Sequence, residues 1–126
     1  MPETVYAADG YDSDKPFAQG RVHDGTLYTA GQVPKDPDTG AIVGEGIERQ
    51  AERTFANLEA ILEAAGTSLE RALQVTVYLT DMDDYDAFNE RYREWMPEPR
   101  PARTTVEVAD LAVPVTVEID VVAAVE

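Results

Sequence analysis

The sequence predicts an α+β domain in which two helices cover one face of a β-sheet. Alternating apolar residues mark the strands, most clearly over residues 72–80 and 115–124. Residues 47–65 and 83–96 instead place apolar side chains at three- and four-residue steps, which is typical of amphipathic helices. The resulting element order, β-β-(β)-α-β-α-β-β, is that of an α+β domain.

The first strands are predicted from a turn signal. Asp24-Gly25 separates two β-like stretches, residues 17–22 and 26–30, and an Asp-Gly pair in that position favours a hairpin. His23, the single histidine, lies beside the turn. Its position there and the lack of a second histidine argue against a catalytic role.

The segment up to the first helix is mostly loop. Residues 1–16 read as a loop that can include a short strand at residues 4–6, and residues 41–43 as a short strand or an extended segment. The first helix is expected over residues 47–65, with Gly66 ending it. Its buried stripe consists of Ile47, Ala51, Phe55, Leu58, Ile61, Leu62 and Ala65.

The next strand and helix form the centre of the chain. Residues 72–80 predict a strand, and the residues expected on its buried face are Leu73, Val75, Val77 and Leu79. The acids in residues 81–86 lack the EF-hand glycine and glutamate, so capping of the second helix explains them better than calcium binding. That helix, residues 83–96, should turn inward Tyr85, Phe88, Tyr92 and either Trp95 or Met96.

A short turn delivers an arginine onto the next strand. Pro101 fixes its own backbone angle, and the β-branched run that follows predicts a strand with Arg103 at its start. A guanidinium held there could grip a carboxylate through two parallel hydrogen bonds. Simple pairing with a surface acid is the alternative interpretation.

The last strand, residues 115–124, has two unlike faces. Val115, Val117, Ile119 and Val121 share one face, whereas Thr116, Glu118 and Asp120 share the other. An acid in the middle of a strand usually means that its face is wet or meets a partner. With Thr76 and Tyr78 on the preceding strand, the mixed face predicts a sheet that self-associates.

Composition restricts the class of protein. The length of 126 residues predicts one domain, spanning residues 1–126. The sequence has no cysteine, no secretory signal and no apolar run long enough to cross a membrane, so we expect a cytoplasmic protein without a membrane role. A net charge of −15 argues against nucleic-acid binding. The scarcity of lysine among so many acids suggests a halophilic host, where salt screens the self-repulsion.

Seven stretches together resemble the RidA/YjgF/YER057c/UK114 family of imine deaminases: residues 15–20, 29–34, 57–66, 75–82, 88–92, 100–108 and 117–119. The resemblance implies a chorismate-mutase-like α+β fold, with a mixed sheet, assembled as a homotrimer with clefts between subunits. It also implies hydrolysis of 2-imino acids and their enamine tautomers, such as 2-iminopropanoate and 2-iminobutanoate, to 2-oxo acids and ammonia.

The resemblance assigns roles to individual residues. It implies that Arg103 anchors the substrate carboxylate and that Glu118 holds the attacking water. It places Gly31 where the backbone contacts substrate, Thr105 where a carbonyl faces the substrate nitrogen, and Asn89 near the cleft. A protonated imine carbon is already electrophilic, so we expect no metal and no cofactor.

Three positions depart from the family pattern. Phe17 stands where active members often have tyrosine, Ala30 replaces a frequent serine, and Thr105 replaces a frequent cysteine. Phe17 keeps an aromatic wall but loses a hydroxyl, and each lost hydrogen bond is worth about 0.5–1.5 kcal/mol. We expect a several-fold change in rate or a shift in substrate preference.

Two other functions are compatible with the sequence. A non-catalytic protein could use the same arginine to bind small carboxylates such as 2-oxo acids. Some members of the resembled family are described as ribonucleases or translation inhibitors. The net charge of −15 and the single histidine count against that activity here.

Overall fold

The structure, a computed structural model, describes residues 2–125. Its six strands are β1 (Glu3–Val5), β2 (Gly20–His23), β3 (Thr26–Thr29), β4 (Ala72–Leu79), β5 (Ala102–Glu107) and β6 (Val117–Ala124). Its two helices are α1 (Ile47–Ala64) and α2 (Tyr85–Trp95), and two short 3-10 turns, Leu69–Arg71 and Met82–Asp84, precede β4 and α2.

The strands form one mixed sheet in the order β1-β2-β3-β6-β4-β5. Only the β4–β5 pair within residues 2–125 is parallel, and α2 connects these two strands. The C-terminal strand β6 lies between β3 and β4 and pairs antiparallel with both. The predicted fold class, a mixed sheet with two helices on one face, is confirmed.

Local signals place the turn and the end of the first helix correctly. Asp24 and Gly25 both have positive φ, 52° and 76°, as a two-residue hairpin with the right twist requires. Gly66 has φ of 83°, and its amide donates to the Glu63 carbonyl at 3.0 Å. Because an L side chain is strained at that φ, glycine is the residue that ends this helix most easily.

The core lies between the helices and one sheet face. Every predicted residue of the α1 stripe is buried except Ala65, which is partly exposed. The ring of Phe55 stacks on Phe88 at a centroid distance of 6.0 Å and on Trp95 at 5.6 Å, which joins α1 to α2. At the end of α2, Met96 is fully buried whereas Trp95 packs at the core margin.

Two predicted core residues are exposed. Leu73 keeps 52% of its surface accessible, because the pairing of β4 with β6 is irregular between Ala72 and Gln74 and Ala72 takes the buried position. Tyr85 is 40% exposed and lies against Arg103 instead of entering the core. Both predictions were wrong, since neither a bulge nor a tertiary contact can be read from periodicity.

Several element boundaries differ slightly from the sequence prediction. The first strand begins one residue earlier than expected, at Glu3, and β6 begins at Val117, although Val115 is still buried. The second helix begins at Tyr85, after a turn in which the Asp81 carboxylate accepts from the Asp83 amide at 2.9 Å. Asp81 therefore caps the 3-10 turn before α2, whereas Asp84, which directly precedes α2, makes no capping hydrogen bond with its side chain.

The uncovered face of the sheet has a mixed surface. Tyr28 on β3 is 53% exposed and Val106 on β5 is 37% exposed, while Tyr78 and Glu118 are half-buried between them. Within residues 2–125, no helix combines the length and the apolar character needed to cross a membrane.

Candidate active site

A cavity of about 390 Å³ opens beside the middle of the sheet. It is bounded by the loop before β2, the chain that leaves β3, and the start of β6. Four of the predicted site residues line it: Phe17, Ala30, Gly31 and Glu118. The sequence therefore identified one wall of a real cavity from stretches far apart in the chain.

Glu118 and Gly31 are in direct contact inside this cavity. A Cβ atom at position 31 would lie 2.8 Å from Cδ of Glu118 and closer still to Oε2. No side chain fits there without moving the carboxylate. The close approach of Glu118 to the backbone therefore requires glycine at position 31. The carboxyl group therefore lies against the backbone of the segment after β3.

Two backbone hydrogen bonds fix that contact. The amide of Gln32 donates to the Ile119 carbonyl at 2.7 Å, and the amide of Ile119 donates to the Gln32 carbonyl at 3.0 Å. This bridge joins the residue after Gly31 to the residue after Glu118. The glycine and the carboxylate are held side by side because their neighbours pair as a sheet does.

The environment of Glu118 disfavours its charged form. Burial raises the pKa of the Glu118 carboxyl, and the nearby Asp120 carboxylate raises it further. Burial also raises the pKa of Asp120, although a hydrogen bond from the Tyr78 hydroxyl, 3.2 Å from Oδ2, opposes that rise. A carboxyl with a raised pKa can take up a proton at milder pH than an exposed one, as proton-transfer chemistry requires.

Gln19 organises the loop that closes the cavity. Its side chain, almost fully buried, accepts from the Ala7 amide at 2.6 Å and donates to the Tyr11 carbonyl at 3.0 Å. Its own carbonyl accepts from the Ala30 amide at 2.8 Å. Gln19 thus ties the loop carrying Phe17 to the end of β3. Phe17 itself is 57% exposed at the cavity wall.

Arg103 lies in a separate aromatic pocket. Its guanidinium carbon is 4.5 Å from the ring centroid of Tyr92, 5.2 Å from that of Phe88 and 5.5 Å from that of Tyr85. All three rings belong to α2, and contacts between a guanidinium and aromatic faces are favourable. Burial lowers the pKa of Arg103. Because the usual pKa of arginine is very high, the side chain is still charged.

The hydrogen-bonding capacity of Arg103 is only partly used. Its Nε donates to the Thr105 hydroxyl at 2.7 Å, and its buried Nη2 has no partner among residues 2–125. None of the salt bridges found in those residues involves it. A half-buried cation without a carboxylate, in a chain rich in acids, is suited to an anionic ligand.

Asn89 belongs to the same group as Arg103. It lies four residues after Tyr85 and three before Tyr92, on the helix face that contacts the guanidinium. Its buried Oδ1 has no partner within residues 2–125. The predicted site residues therefore fall into two groups, one around Arg103 with Thr105 and Asn89, and one around Glu118.

The two groups lie on opposite faces of the sheet. In the parallel pairing of β4 with β5, Arg103 stands opposite Val75, a buried residue under the helices. Glu118 stands opposite Tyr78 on the uncovered face and alternates with the buried Val117 and Ile119. A single chain thus does not bring the two groups together.

The comparisons with known proteins agree with the fold. A family model described as "Endoribonuclease L-PSP" matches residues 8–125, nearly the whole chain. The chain belongs to this family. The relatives and solved structures that match include proteins named RutC, Rid and RidA, so the resemblance to the RidA/YjgF family is confirmed.

Individual members of the RidA/YjgF family are similar over almost their full length. A RutC family protein of Pyrococcus horikoshii is 42% identical over 123 residues, 98% of each chain. The human 2-iminobutanoate/2-iminopropanoate deaminase is 34% identical over 108 residues, 86% of this chain and 79% of the human one. The crystal structure of Escherichia coli TdcF with bound serine has a TM-score of 0.91 at 29% identity, and the match covers 98% of this chain and 99% of the TdcF chain.

Several residues of this RidA/YjgF protein were not identified as site residues from sequence. Tyr78 and Asp120 form a hydrogen-bonded pair beside Glu118, and Lys35 lines the same cavity as Glu118. The alternation of Tyr78 and Asp120 with buried neighbours was visible, but only the pairing of β4 with β6 reveals that they lie beside Glu118. His23 is exposed at the hairpin, 3.2 Å from Asp24 and outside the lining of this cavity.

Proposed function

We propose that the protein is a hydrolytic deaminase of 2-imino acids and their enamine tautomers, such as 2-iminobutanoate and 2-iminopropanoate. The observation that carries this proposal is the state of Arg103, a half-buried guanidinium enclosed by aromatic rings with Nη2 unpartnered among residues 2–125. Such a group is suited to anchor the carboxylate of a small acid. Support also comes from the human relative, whose name states this activity.

The chemistry requires one bond to form and one to break at the same carbon. Arg103 anchors the substrate carboxylate, and Glu118 holds a water beside the protonated imine carbon. Glu118 accepts a proton as the water oxygen attacks, which gives a tetrahedral aminoalcohol. The proton then passes from Glu118 to the nitrogen. As the carbon–nitrogen bond breaks, the hydroxyl proton passes to the departing ammonia, so that ammonium and the 2-oxo acid leave. Water is the sole co-reactant.

The residues around Glu118 support this role. Its raised pKa lets the carboxyl take up the proton from water at moderate pH, because burial already disfavours its charge. Gly31 leaves room for the carboxylate, while Phe17 and Ala30 form the cavity wall. Thr105 and Asn89 lie in the group around Arg103. The Thr105 hydroxyl orients the guanidinium by accepting a hydrogen bond from Nε.

We further propose that the working site is a cleft between subunits of a homotrimer. Arg103 and Glu118 lie on opposite faces of one sheet, so the complete set requires Arg103 from one copy and Glu118 from another. The uncovered face offers a suitable surface, with Tyr28 exposed on β3, next to the strand of Glu118, and Val106 exposed on β5, two strands away on the other side. A closed ring of three copies would form three equivalent clefts.

Steady-state decay of 2-iminobutanoate, generated in situ, tests the proposed activity. The protein should accelerate the decay, and Arg103→Ala should lower kcat/KM by roughly 30- to 1,000-fold, equivalent to about 2–4 kcal/mol. Glu118→Gln should lower kcat. Arg100→Ala is the matched control, because Arg100 bonds the Met96 carbonyl and pairs with Glu98 outside both groups.

Three results would contradict the proposed activity. Binding of 2-oxobutanoate without any acceleration of imine decay would favour a non-catalytic binding protein. RNA cleavage that co-purifies with the protein and disappears in Arg103→Ala would favour the nuclease named in the family description. An Arg103→Ala variant as active as Arg100→Ala would remove Arg103 from the site.

A further inference from the structure

The cavity beside Glu118 contains both lysines of the chain. Lys15 and Lys35 are the two lysines in the sequence, which has 25 acidic residues and a net charge of −15. Both line this cavity. The chain therefore concentrates its scarce ammonium groups at the proposed substrate site, although nothing in the deamination of a simple 2-imino acid requires them.

The backbone of Lys35 is held rigidly. Its carbonyl accepts from the Asn57 side chain at 2.9 Å, and the neighbouring Val33 carbonyl accepts from the same amide nitrogen at 3.0 Å. Asn57 is fully buried on α1, and its Oδ1 accepts from Arg53 at 3.0 Å. A buried and fully bonded amide is costly to disturb, so Lys35 starts from a fixed position.

The side chain of Lys35 is placed but not neutralised. Its Nζ lies 5.1 Å from the ring centroid of Tyr11 and 3.4 Å from the Tyr11 hydroxyl. Within residues 2–125, no carboxylate oxygen lies within 4.0 Å of it. Lys35 therefore keeps a positive charge and free N–H donors at the cavity wall.

Lys15 differs from Lys35 in its exposure and in its pairing with an acid. Its side chain is 72% exposed, and its Nζ is 3.6 Å from Asp14. Asp12 and Asp14 also border the cavity, and both are exposed, so water screens their repulsion of an anion. Lys35 is the cation that a ligand in the cavity can use, because its charge is neither exposed to the same degree nor paired.

We infer that the site accepts 2-imino acids with a second anionic group at the end of the side chain, and that Lys35 binds that group. This inference rests on the proposed deaminase function, in which Arg103 takes the carboxylate next to the imine. A terminal carboxylate then lies in the cavity that Glu118 and Lys35 share. The substrate class is the imines of acidic amino acids, namely 2-iminosuccinate and 2-iminoglutarate.

The test compares kcat/KM for these two imines with kcat/KM for 2-iminobutanoate, each generated in situ by an amino-acid oxidase or dehydratase. Lys35→Met should lower the ratio of acidic to neutral substrate by about tenfold, the worth of one hydrogen bond to a charged group. Lys35→Arg should keep most of the preference, because it keeps the charge. Arg49→Met removes an exposed charge on α1, outside the cavity, and should leave the ratio unchanged.

A merely structural role for Lys35 gives a different pattern. If Lys35 serves only to hold Tyr11, then Lys35→Met and Tyr11→Phe would both lower the thermal midpoint and would slow acidic and neutral substrates equally. That result would overturn the inference. A wild-type protein that shows no preference for either acidic imine over 2-iminobutanoate would also overturn it.

The outcomes separate this inference from the proposed function. Turnover of 2-iminobutanoate with a substrate ratio that Lys35→Met does not change would refute the inference and leave the deaminase function standing. If no imine is turned over, calorimetric binding of 2-oxoglutarate and 2-oxobutanoate decides the cavity preference independently. A preference for 2-oxoglutarate that Lys35→Met abolishes would support the assignment of Lys35, and equal affinities would refute it.

Discussion

Arg103 and Glu118 project from opposite faces of the same β-sheet. Arg103 stands beside Val75 under the helices, with its guanidinium against Tyr92, while Glu118 stands beside Tyr78 on the uncovered face. The intervening strand, β4, pairs with both β5 and β6, so no local motion brings the two groups to one substrate. If both residues act on the same molecule, they must come from different copies of the chain.

Subunit complementation gives the first prediction. The Arg103→Ala and Glu118→Gln variants should each be strongly impaired, but refolding the two variants together should restore activity. With random mixing at equal amounts, about a quarter of the clefts receive an intact Arg103 from one subunit and an intact Glu118 from its neighbour. The measurement is the decay of 2-iminobutanoate by the mixture, relative to refolded wild type.

The control for complementation is the double variant. Refolding the Arg103→Ala/Glu118→Gln protein with the Arg103→Ala variant cannot create an intact cleft, and should give no activity. Absence of activity in the Arg103→Ala and Glu118→Gln mixture, with trimers formed, would show that both residues act within one chain.

Stability should respond to the charge of Glu118. Because the folded protein raises the pKa of this carboxyl, its contribution to stability is present at low pH and is lost as pH rises through the folded pKa. Glu118→Gln should therefore raise the thermal midpoint near neutral pH, and the gain should vanish near about pH 4. The exposed Glu63→Gln change on α1 removes the same charge from an unburied position and is the control. A midpoint lowered at neutral pH would contradict the argument.

Gly31→Ala should disturb the cavity without disrupting the sheet. The new methyl group would overlap the Glu118 carboxyl, the end of a flexible side chain that must rotate away, so we expect a loss of about 0.5–1.5 kcal/mol of stability and a large loss of kcat. In a Glu118→Ala background the same substitution should cost little stability, because the obstructing carboxyl is gone. Denaturant unfolding of the four proteins measures this coupling. Equal costs in both backgrounds would mean that the contact is unimportant.

Restoring two hydroxyl groups should change catalysis modestly. Phe17 and Ala30 line the cavity without contributing a side-chain hydrogen-bonding group. Phe17→Tyr and Ala30→Ser should each change kcat/KM several-fold, on the scale of one hydrogen bond of about 0.5–1.5 kcal/mol. Tyr6→Phe, at an exposed aromatic outside the cavity, is the control. If both substitutions leave kcat/KM unchanged, those positions do not contribute to catalysis.

High salt should stabilise the protein. At a net charge of −15, repulsion among the acids destabilises the compact state in dilute buffer, and molar potassium chloride screens it. The thermal midpoint should rise steadily from about 0.1 M to molar salt. Sucrose at matched osmolality controls for general exclusion of cosolvent. A midpoint no higher in molar salt than in dilute buffer would remove the halophilic hypothesis.

Much of the fold was predictable because its signals are local. The α1 stripe, the Asp24-Gly25 hairpin and the Gly66 helix end all depend on residues within one or two turns of each other. The failures have equally specific causes. Leu73 is exposed because an irregular pairing shifts its strand, and Tyr85 is exposed because a ring that could enter the core instead contacts a guanidinium.

By itself the sequence determined which residues have the chemical character of the site, including a carboxylate on the polar face of the last strand and an arginine at the start of another. Only the tertiary structure decided how these residues are grouped. The insertion of β6 between β3 and β4 places Glu118 against Gly31. The register of β5 on β4 places Arg103 on the other face, and a shift of one residue would have reversed it. The face of the sheet on which each side chain lies therefore depends on contacts between distant segments, which no local pattern encodes.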